Sequence, residues 1–212
     1  MSQLARRERA ALCDTLLEVG PDAPTLCEGW LAKDLAAHLV VREHRVIAGT
    51  GIWLAPMAGR TERAQAELIA QPWEDLVAQV RARPAWWHPA RLGGPVETLF
   101  DDAEFYVHHE DLRRGDGVPR PRRLDPVDEE SLRHTLGGTA RLAFRKSPVG
   151  VVFASPGQEP RTVHRKDGRQ VTLRGETTEL VLVAFGRGRA AEVDYEGSPE
   201  DIAAFKAAPI GM

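Results

Sequence analysis

The chain has 212 residues, a net charge of −3 and a charged fraction of 28%, as expected for one large or two small domains of an ordinary soluble protein. This charge gives no electrostatic case for binding nucleic acid or a membrane surface, and no run approaches the ~18 apolar residues of a membrane span. Cys13, Cys27 and the absence of a secretion signal from Met1–Arg9 predict a cytoplasmic protein with reduced thiols.

Helical periodicity dominates the first half of the sequence. Apolar residues at helical spacing predict one helix over Leu4–Val19 and a second from about Leu31 to Ala48. A third helical region, Thr61–Arg83, is interrupted at Gln71-Pro72, because proline begins a helix more readily than it continues one. A fourth helix is predicted from about Val96 to Arg114. These segments predict an N-terminal helical bundle.

A linker rich in Pro and Arg follows, from Val118 to Leu124. Asp125 as N-cap and Pro126 as first residue then predict a fifth helix that extends to about Lys146. The fold class is therefore mainly α with a small α+β part. The predicted division is a helical bundle (1–120), a linker with a connecting helix (121–148) and a small α+β domain (149–212).

The last third of the chain reads as short strands and turns. The predicted strands are Gly150–Ala154, Arg161–Arg165, Gln170–Arg174 and Ala191–Tyr195. Lys166–Arg169 predicts a hairpin turn, because Asp-Gly suits a turn that needs positive φ. Leu180–Phe185 fits either a strand or a helix, and Ser198 opens a last helix with a capping box.

Glu104 and His108 are the most informative pair in the sequence. Residues four apart lie on one face of a helix, about 6 Å apart along its axis, so a carboxylate and an imidazole can meet at one metal ion. His38, on the apolar stripe of the second helix, supplies another imidazole. This ligand set is typical of catalytic zinc sites with an open position, although Ni, Fe, Mn and Co remain alternatives. The competing interpretation is a solvated Glu104–His108 ion pair and a hydrogen-bonded core histidine at position 38.

Other metal and nucleophile motifs are missing from the sequence. His109-Glu110 begins like a zincin motif, but residue 113 is Arg. Cys13 and Cys27 lack metal-type spacing, and neither a glycine-rich phosphate loop nor a Gly-x-Ser-x-Gly elbow occurs.

At these residues the chain resembles the mycothiol-dependent maleylpyruvate isomerases and their DinB-like relatives. The matching segments are Thr25–Trp30, Asp34–Leu39 and Glu104–Asp111. The resemblance implies a DinB-like up-and-down four-helix bundle, in which the family's metal ligands map onto His38, Glu104 and His108. The His-His-Glu-Asp-Leu-Arg-Arg run that starts at His108 is typical of one metal-binding branch. Val171–Tyr195 implies, more weakly, a sterol-carrier-like C-terminal domain.

The resemblance also implies an enzyme, a mycothiol-dependent isomerase or S-transferase. A thiol bound at the open position of the metal would lose its proton, and the thiolate would attack an electrophile. The partners would be a small-molecule thiol and an electrophilic substrate, and the chain would be a monomer or homodimer. Two alternatives remain open: a hydrolase that uses water activated by the metal, and a non-catalytic metal- or ligand-binding protein.

Six nearby residues have expected roles, four of them as candidates for binding or catalysis. Asp34 is either a partner that orients a ligand or a helix-start charge, and Asp111 is either at the rim of the site or a surface carboxylate. Both are also catalytic candidates, as the general base that a hydrolase would need. Arg113 and Arg114 are candidates to bind the carboxylates of a thiol ligand, and Arg113 is also a catalytic candidate. His109 is rotated about 100° from the ligand face and is expected to be structural. Trp30 is expected to pack in the core.

Overall fold

The structure is a computed structural model that describes residues 2–44, 58–82 and 95–211. It divides into two compact units, Met1–Asp116 and Gly117–Met212. The described chain is mostly helical with one small mixed sheet, which confirms the coarse fold class. None of the helices in the described ranges is both long and apolar enough to cross a membrane.

The N-terminal unit is built from helices in the described ranges. They are α1 (Gln3–Val19), α2 (Ala32–His44), α3 (Ala58–Ile69), α4 (Trp73–Arg81) and α5 (Pro95–Arg113). Ser2 caps α1 by accepting a hydrogen bond from the backbone of Ala5 at 3.0 Å. The predicted break is confirmed, because α3 ends before Gln71 and Pro72 is the N-cap of α4. The predicted extension of α2 to Ala48 lies outside the described residues.

The core of this unit lies between α1, α2 and α4, with α3 and α5 packed on them. Helix α1 packs on α4 and α5, and α2 packs on α3 and α4. Leu12, Leu35, Leu68, Val77 and Phe105 are buried in one continuous cluster. The up-and-down four-helix arrangement stays a prediction.

The loop between α1 and α2 is held against the end of α5. The backbone N–H of Leu26 donates to the carbonyl of Asp111 at 2.9 Å. Gly115, just after α5, passes so near Pro24 that a Cβ would lie 2.0 Å from the Pro24 carbonyl oxygen. Only glycine allows this approach, and the approach places Cys27 beside α5.

The C-terminal unit combines helices with a four-stranded sheet. Its elements are α6 (Pro126–Ala143), β1 (Gly150–Ala154), β2 (Arg161–His164), β3 (Gln170–Arg174), α7 (Thr177–Ala184), β4 (Asp194–Glu196) and α8 (Pro199–Ala207). As predicted, Asp125 caps α6 by accepting from the backbone of Val127 and Asp128 at 3.1 Å. Helix α6 ends three residues before the predicted limit, and it packs on α7 and β2 inside this unit. The predicted three-part division stays a prediction.

The sheet has the order β2-β1-β3-β4, so one expectation is wrong. The turn at Lys166–Arg169 does not join paired strands, because β1 lies between β2 and β3. Gly168 has the expected positive φ of 71°. The turn instead crosses the start of β1, where the Gly150 N–H donates to the Arg169 carbonyl at 2.8 Å. Strands β1 and β3 are consequently parallel, and the β1–β2 and β3–β4 pairs are antiparallel.

Three further predictions in the C-terminal half can be compared with the structure. The ambiguous Leu180–Phe185 run is helical: its residues up to Ala184 belong to α7, every residue of which is buried, and Phe185 is the C-cap. A helix that is apolar all round is a core helix, which explains why periodicity could not separate it from a buried strand. Strand β4 begins at Asp194, three residues later than predicted. Ser198 caps α8 as predicted, by accepting from the backbone of Asp201.

Candidate metal centre

The three predicted ligands converge in the N-terminal unit. His38 lies on α2, and Glu104 and His108 lie one turn apart on α5. Nε2 of His38 is 3.7 Å from Oε1 of Glu104, and Nε2 of His108 is 3.2 Å from the same oxygen. Candidate ligand atoms of the three residues all lie within 4.8 Å of one another. The side chains are 14%, 20% and 11% exposed in chain order, so the cluster is mostly buried.

Ring packing orients the two imidazoles. The His38 and His108 rings meet edge to face, with centroids 5.5 Å apart. The His38 ring also contacts the ring of Trp30, with centroids 5.1 Å apart. Trp30 also packs against the core cluster, as expected from the sequence. The tryptophan therefore limits the freedom of a proposed ligand.

Asp111 supports His108 through its other ring nitrogen. Nδ1 of His108 donates to Oδ2 of Asp111 at 2.9 Å, and the Asp111 side chain is fully buried. The alternative of a surface carboxylate is therefore wrong, because residue 111 faces inward beneath the loop that contains Leu26 and contacts a predicted ligand. A carboxylate in this position fixes the tautomer of a ligating imidazole and leaves Nε2 directed at the ligand site.

Burial and neighbouring groups shift the pKa values of all three predicted ligands. Burial opposes the charged form of Glu104, but Arg42 and hydrogen bonds from both histidines hold the pKa of that carboxyl well below 4.5. Burial also opposes a charge on His108, yet hydrogen bonds with Asp111, Cys27 and Glu104 raise its pKa well above 6.5. Burial lowers the pKa of His38 below 6.5. In the metal-free cluster these shifts favour the charged imidazolium form of His108 and the neutral imidazole form of His38.

Arg42 is a neighbour that the sequence analysis missed. Its Nε lies 3.3 Å from Oε1 of Glu104, the oxygen on which both histidines converge. Arg42 follows His38 by four residues on α2, so the spacing rule that paired Glu104 with His108 could have found it. A cation here competes with a metal ion for the carboxylate.

Cys27 is the second missed residue. Its thiol donates to Oδ2 of Asp111 at 3.2 Å, so the thiol and His108 share one acceptor oxygen. Cys27, His108 and Asp111 form a second group whose ligand-type atoms lie within 4.8 Å of one another. No local signal predicts this contact, because it depends on a loop 84 residues away in sequence.

The remaining candidates have structural contacts. Oδ2 of Asp34 accepts from the backbone N–H of Leu31 at 2.8 Å, the contact of a helix-start charge. Arg113 and Arg114 both bind Glu110, at 2.6 and 2.5 Å, and the Arg114 side chain is fully buried. Because its side chain is fully buried, Arg114 is poorly placed to bind the carboxylates of a solute.

His109 joins α5 to α1, which agrees with the structural role expected for it. Nδ1 of His109 donates to the buried Glu8 at 2.8 Å, and Nε2 lies 3.1 Å from Oγ1 of Thr15. Glu8, which interrupts the apolar stripe of α1, is therefore the partner of a buried imidazole. Its burial without such a partner would be costly.

No protein-family model matches the chain, and no curated protein matches it. Among solved structures, a histidine-to-alanine mutant of the mycothiol-dependent maleylpyruvate isomerase aligns over 92% of this chain and 91% of its own, with a TM-score of 0.61 and 20% identity. A second structure of the mycothiol-dependent maleylpyruvate isomerase aligns over the same shares, with a TM-score of 0.57 and 19% identity. The resemblance drawn from the sequence is thus confirmed at the level of the fold: this chain has the fold of maleylpyruvate isomerase structures.

Proposed function

We propose that the chain is a divalent-metal enzyme that uses a low-molecular-weight thiol, as an isomerase or an S-transferase. His38, Glu104 and His108 hold the ion, and zinc is the first choice for a set of two imidazoles and one carboxylate. The observation that carries the proposal is the convergence of two Nε2 atoms on one Glu104 oxygen.

The donor set fits a metal ion in spacing and in chemistry. Ligand atoms about 2.1 Å from a tetrahedral ion are roughly 3.4 Å apart. The two measured nitrogen–oxygen separations, 3.2 and 3.7 Å, bracket that value. Both histidines present Nε2 to the site, and the Asp111 contact at Nδ1 supplies the orienting carboxylate that metal-bound imidazoles usually have.

Each residue has a distinct part in the proposed chemistry. A divalent ion at this site would supply the positive charge that makes a thiol ionise at neutral pH. Asp111 retains the proton on Nδ1 of His108, so that Nε2 can act as a donor atom. Trp30 packs at a tilt against His38 and limits the movement of that ring. Arg42 compensates the charge of Glu104 while no ion is present.

The structures that share the fold support mycothiol as the thiol, because both are of the mycothiol-dependent maleylpyruvate isomerase. A thiolate that adds to a conjugated double bond and is later eliminated isomerises the bond without being consumed. The same addition without elimination is a conjugation, which is the S-transferase outcome. Both reactions need the same activated sulfur.

Arg42 gives specific support to a second candidate, a non-catalytic metal- or ligand-binding protein. Its guanidinium occupies part of the approach to Glu104 and would have to shift when an ion binds. The hydrolase alternative is weaker, because it needs a general base beside the water. The two carboxylates considered for that role bind Leu31 N–H and the His108–Cys27 pair instead.

Metal analysis of the purified full chain tests the site. The expected result is about one divalent ion per chain, lost in His38→Ala, His108→Ala and Glu104→Gln. His134→Ala is the matched control, because His134 is exposed and paired only with Glu130 among the contacts described. Full occupancy in His38→Ala would remove this residue from the site.

Thiol dependence tests the activity. The cobalt-substituted protein is expected to change its visible spectrum when mycothiol is added, and isomerisation of maleylpyruvate is expected to require both metal and thiol. A spectral change without turnover of any electrophile would favour the binding protein. No change at saturating mycothiol would reject the thiol-using enzyme.

A further inference from the structure

The C-terminal unit contains a cavity that the proposed metal chemistry does not use. Its volume is about 550 Å³, which is within the range of small-molecule sites. Helix α6, strands β1 and β2 and the start of α7 line it. Leu136, Phe153, Val163 and Leu180 form its apolar wall. All of these residues belong to the same compact unit.

Thr177 contributes a buried hydroxyl to the cavity that lacks a hydrogen-bond partner among the described residues. Its side chain lines the cavity, and the residue is only 1% exposed. Within the described part of the chain, its hydroxyl has no hydrogen-bond partner. Buried hydroxyl groups nearly always have a partner, so this position is one that a ligand atom would satisfy. Thr177 is also the first residue of α7, where the N-cap Glu176 makes no side-chain capping bond.

Arg161 supplies a positive charge at the same cavity. No carboxylate in the described residues lies within ion-pair distance of its guanidinium. A Cβ at Gly137, on α6, would lie 2.7 Å from Nη1 of Arg161, so this glycine leaves the space that the guanidinium fills. Glycine inside a helix is unfavourable relative to alanine. Helix α6 therefore has a residue of low helix propensity, Gly137, at the position where the Arg161 guanidinium packs.

The other charges on the lining disfavour a ligand that carries more than one negative charge. Arg133 is paired with Glu130, at 2.7 Å between Nε and Oε2. Glu159 also lines the cavity and adds a negative charge that would repel a dianion. The remaining charges on the lining are those of Arg161 and Glu159, so a carboxylate is attracted only where it contacts Arg161 directly, beside an apolar wall.

From these contacts we infer that the C-terminal unit binds a small organic monocarboxylate with an apolar body. The carboxylate pairs with Arg161 and accepts a hydrogen bond from Thr177, and the apolar body packs on Phe153, Leu136 and Leu180. This site is independent of the metal centre and does not rest on the function proposed for it.

Titration of the full-length protein with 3-phenylpropionate, followed by amide NMR, tests the inference. The expected result is saturable shifts at Phe153 and Leu180, with weaker binding of the neutral 3-phenylpropanol and of the dianion phenylmalonate by tenfold or more. Arg161→Gln should weaken 3-phenylpropionate at least tenfold and leave the spectrum folded, because Arg161 is exposed. The matched control is Arg145→Gln, an exposed arginine whose described bond is to the Leu142 carbonyl.

Two further variants separate a ligand site from a packing defect. Thr177→Val should raise the melting temperature of the ligand-free protein, because it removes a buried hydroxyl without a partner, and should weaken binding several-fold. Gly137→Ala should weaken binding by displacing Arg161, while Gly138→Ala, an exposed position in the same helix, should not. No saturable shift at millimolar 3-phenylpropionate, or equal affinity in Arg161→Gln and the native chain, would overturn the inference.

Discussion

His108 is held from behind by Asp111: Nδ1 of the imidazole lies 2.9 Å from Oδ2 of a carboxylate that is fully buried. The opposite ring nitrogen faces Glu104 at 3.2 Å. The ring therefore cannot rotate to present Nδ1 without breaking a buried hydrogen bond, which would cost more than an exposed one. Asp111 is thus a positioning residue for the proposed site, acting through His108.

Replacing Asp111 with Asn is expected to reduce metal affinity about 10- to 100-fold, because the orienting carboxylate is lost while all three ligands remain. Competition against a chromophoric chelator measures the change. Asp34→Asn is the matched control, since its carboxylate binds the backbone of Leu31 rather than a ligand. Equal affinities in the two variants would show that Asp111 is not a positioning residue.

Metal affinity is expected to rise with pH. Because the raised pKa keeps His108 protonated above pH 6.5, an ion must displace that proton from Nε2. Affinity should therefore fall about tenfold for each pH unit below that raised pKa. Calorimetry in buffers with different ionisation enthalpies should detect about one proton released. A pH-independent affinity between pH 6 and 8 would contradict protonation of His108.

The metal-free protein is expected to be most stable near pH 6.5. The raised pKa of His108 contributes stability that is complete below 6.5 and is lost as pH rises through the folded value. The lowered pKa of His38 reduces stability as pH falls below 6.5, because the unfolded chain then takes up a proton that the folded chain does not. Urea unfolding across pH 5 to 8 measures this maximum, and His38→Ala should remove the decline on its acid side.

Most of the candidate site could be predicted from the spacing of residues along single helices. The rest depends on tertiary contacts. Glu104 and His108 were predictable because their relation is fixed by one helical turn, and His38 because it interrupts an apolar stripe. Arg42 obeys the same rule and was overlooked. The burial of Asp111 and the approach of Cys27 depend on the Gly115–Pro24 contact, which no window of sequence contains.

The C-terminal half shows the same limit. Two strands were predicted to the residue, Gly150–Ala154 and Gln170–Arg174, because β-rich runs between turns are a local signal. Their neighbours were not predictable in this way. The Asp-Gly turn fixes a positive φ at Gly168 but does not fix which strand pairs with which, and β1 intervenes.

Arg114 is expected to stabilise the fold rather than bind the thiol. Arg114→Leu should cost about 3 kcal/mol of unfolding free energy, since one charge of a buried pair is removed. The cost lies at the low end for such pairs because Glu110 retains Arg113 at 2.6 Å. Urea unfolding measures it, and Arg113→Gln, partly exposed, is the milder comparison. A folded Arg114→Lys protein whose KM for mycothiol rises tenfold would return the binding role to this arginine.

Cys27 is expected to react with Ellman's reagent long before Cys13. Burial raises the pKa of the Cys13 thiol to about 11, so roughly one thiol in a thousand is ionised there at pH 8. Cys27 is partly exposed and shares Asp111 with His108. The metal-free native protein should therefore show one fast thiol, absent in Cys27→Ser and retained in Cys13→Ser, and two thiols after denaturation.

Modification of Cys27 should also weaken metal binding several-fold, because the blocked sulfur no longer donates to the carboxylate that orients His108. Fast labelling that survives in Cys27→Ser would place the reactive thiol at Cys13 and contradict the buried environment of α1.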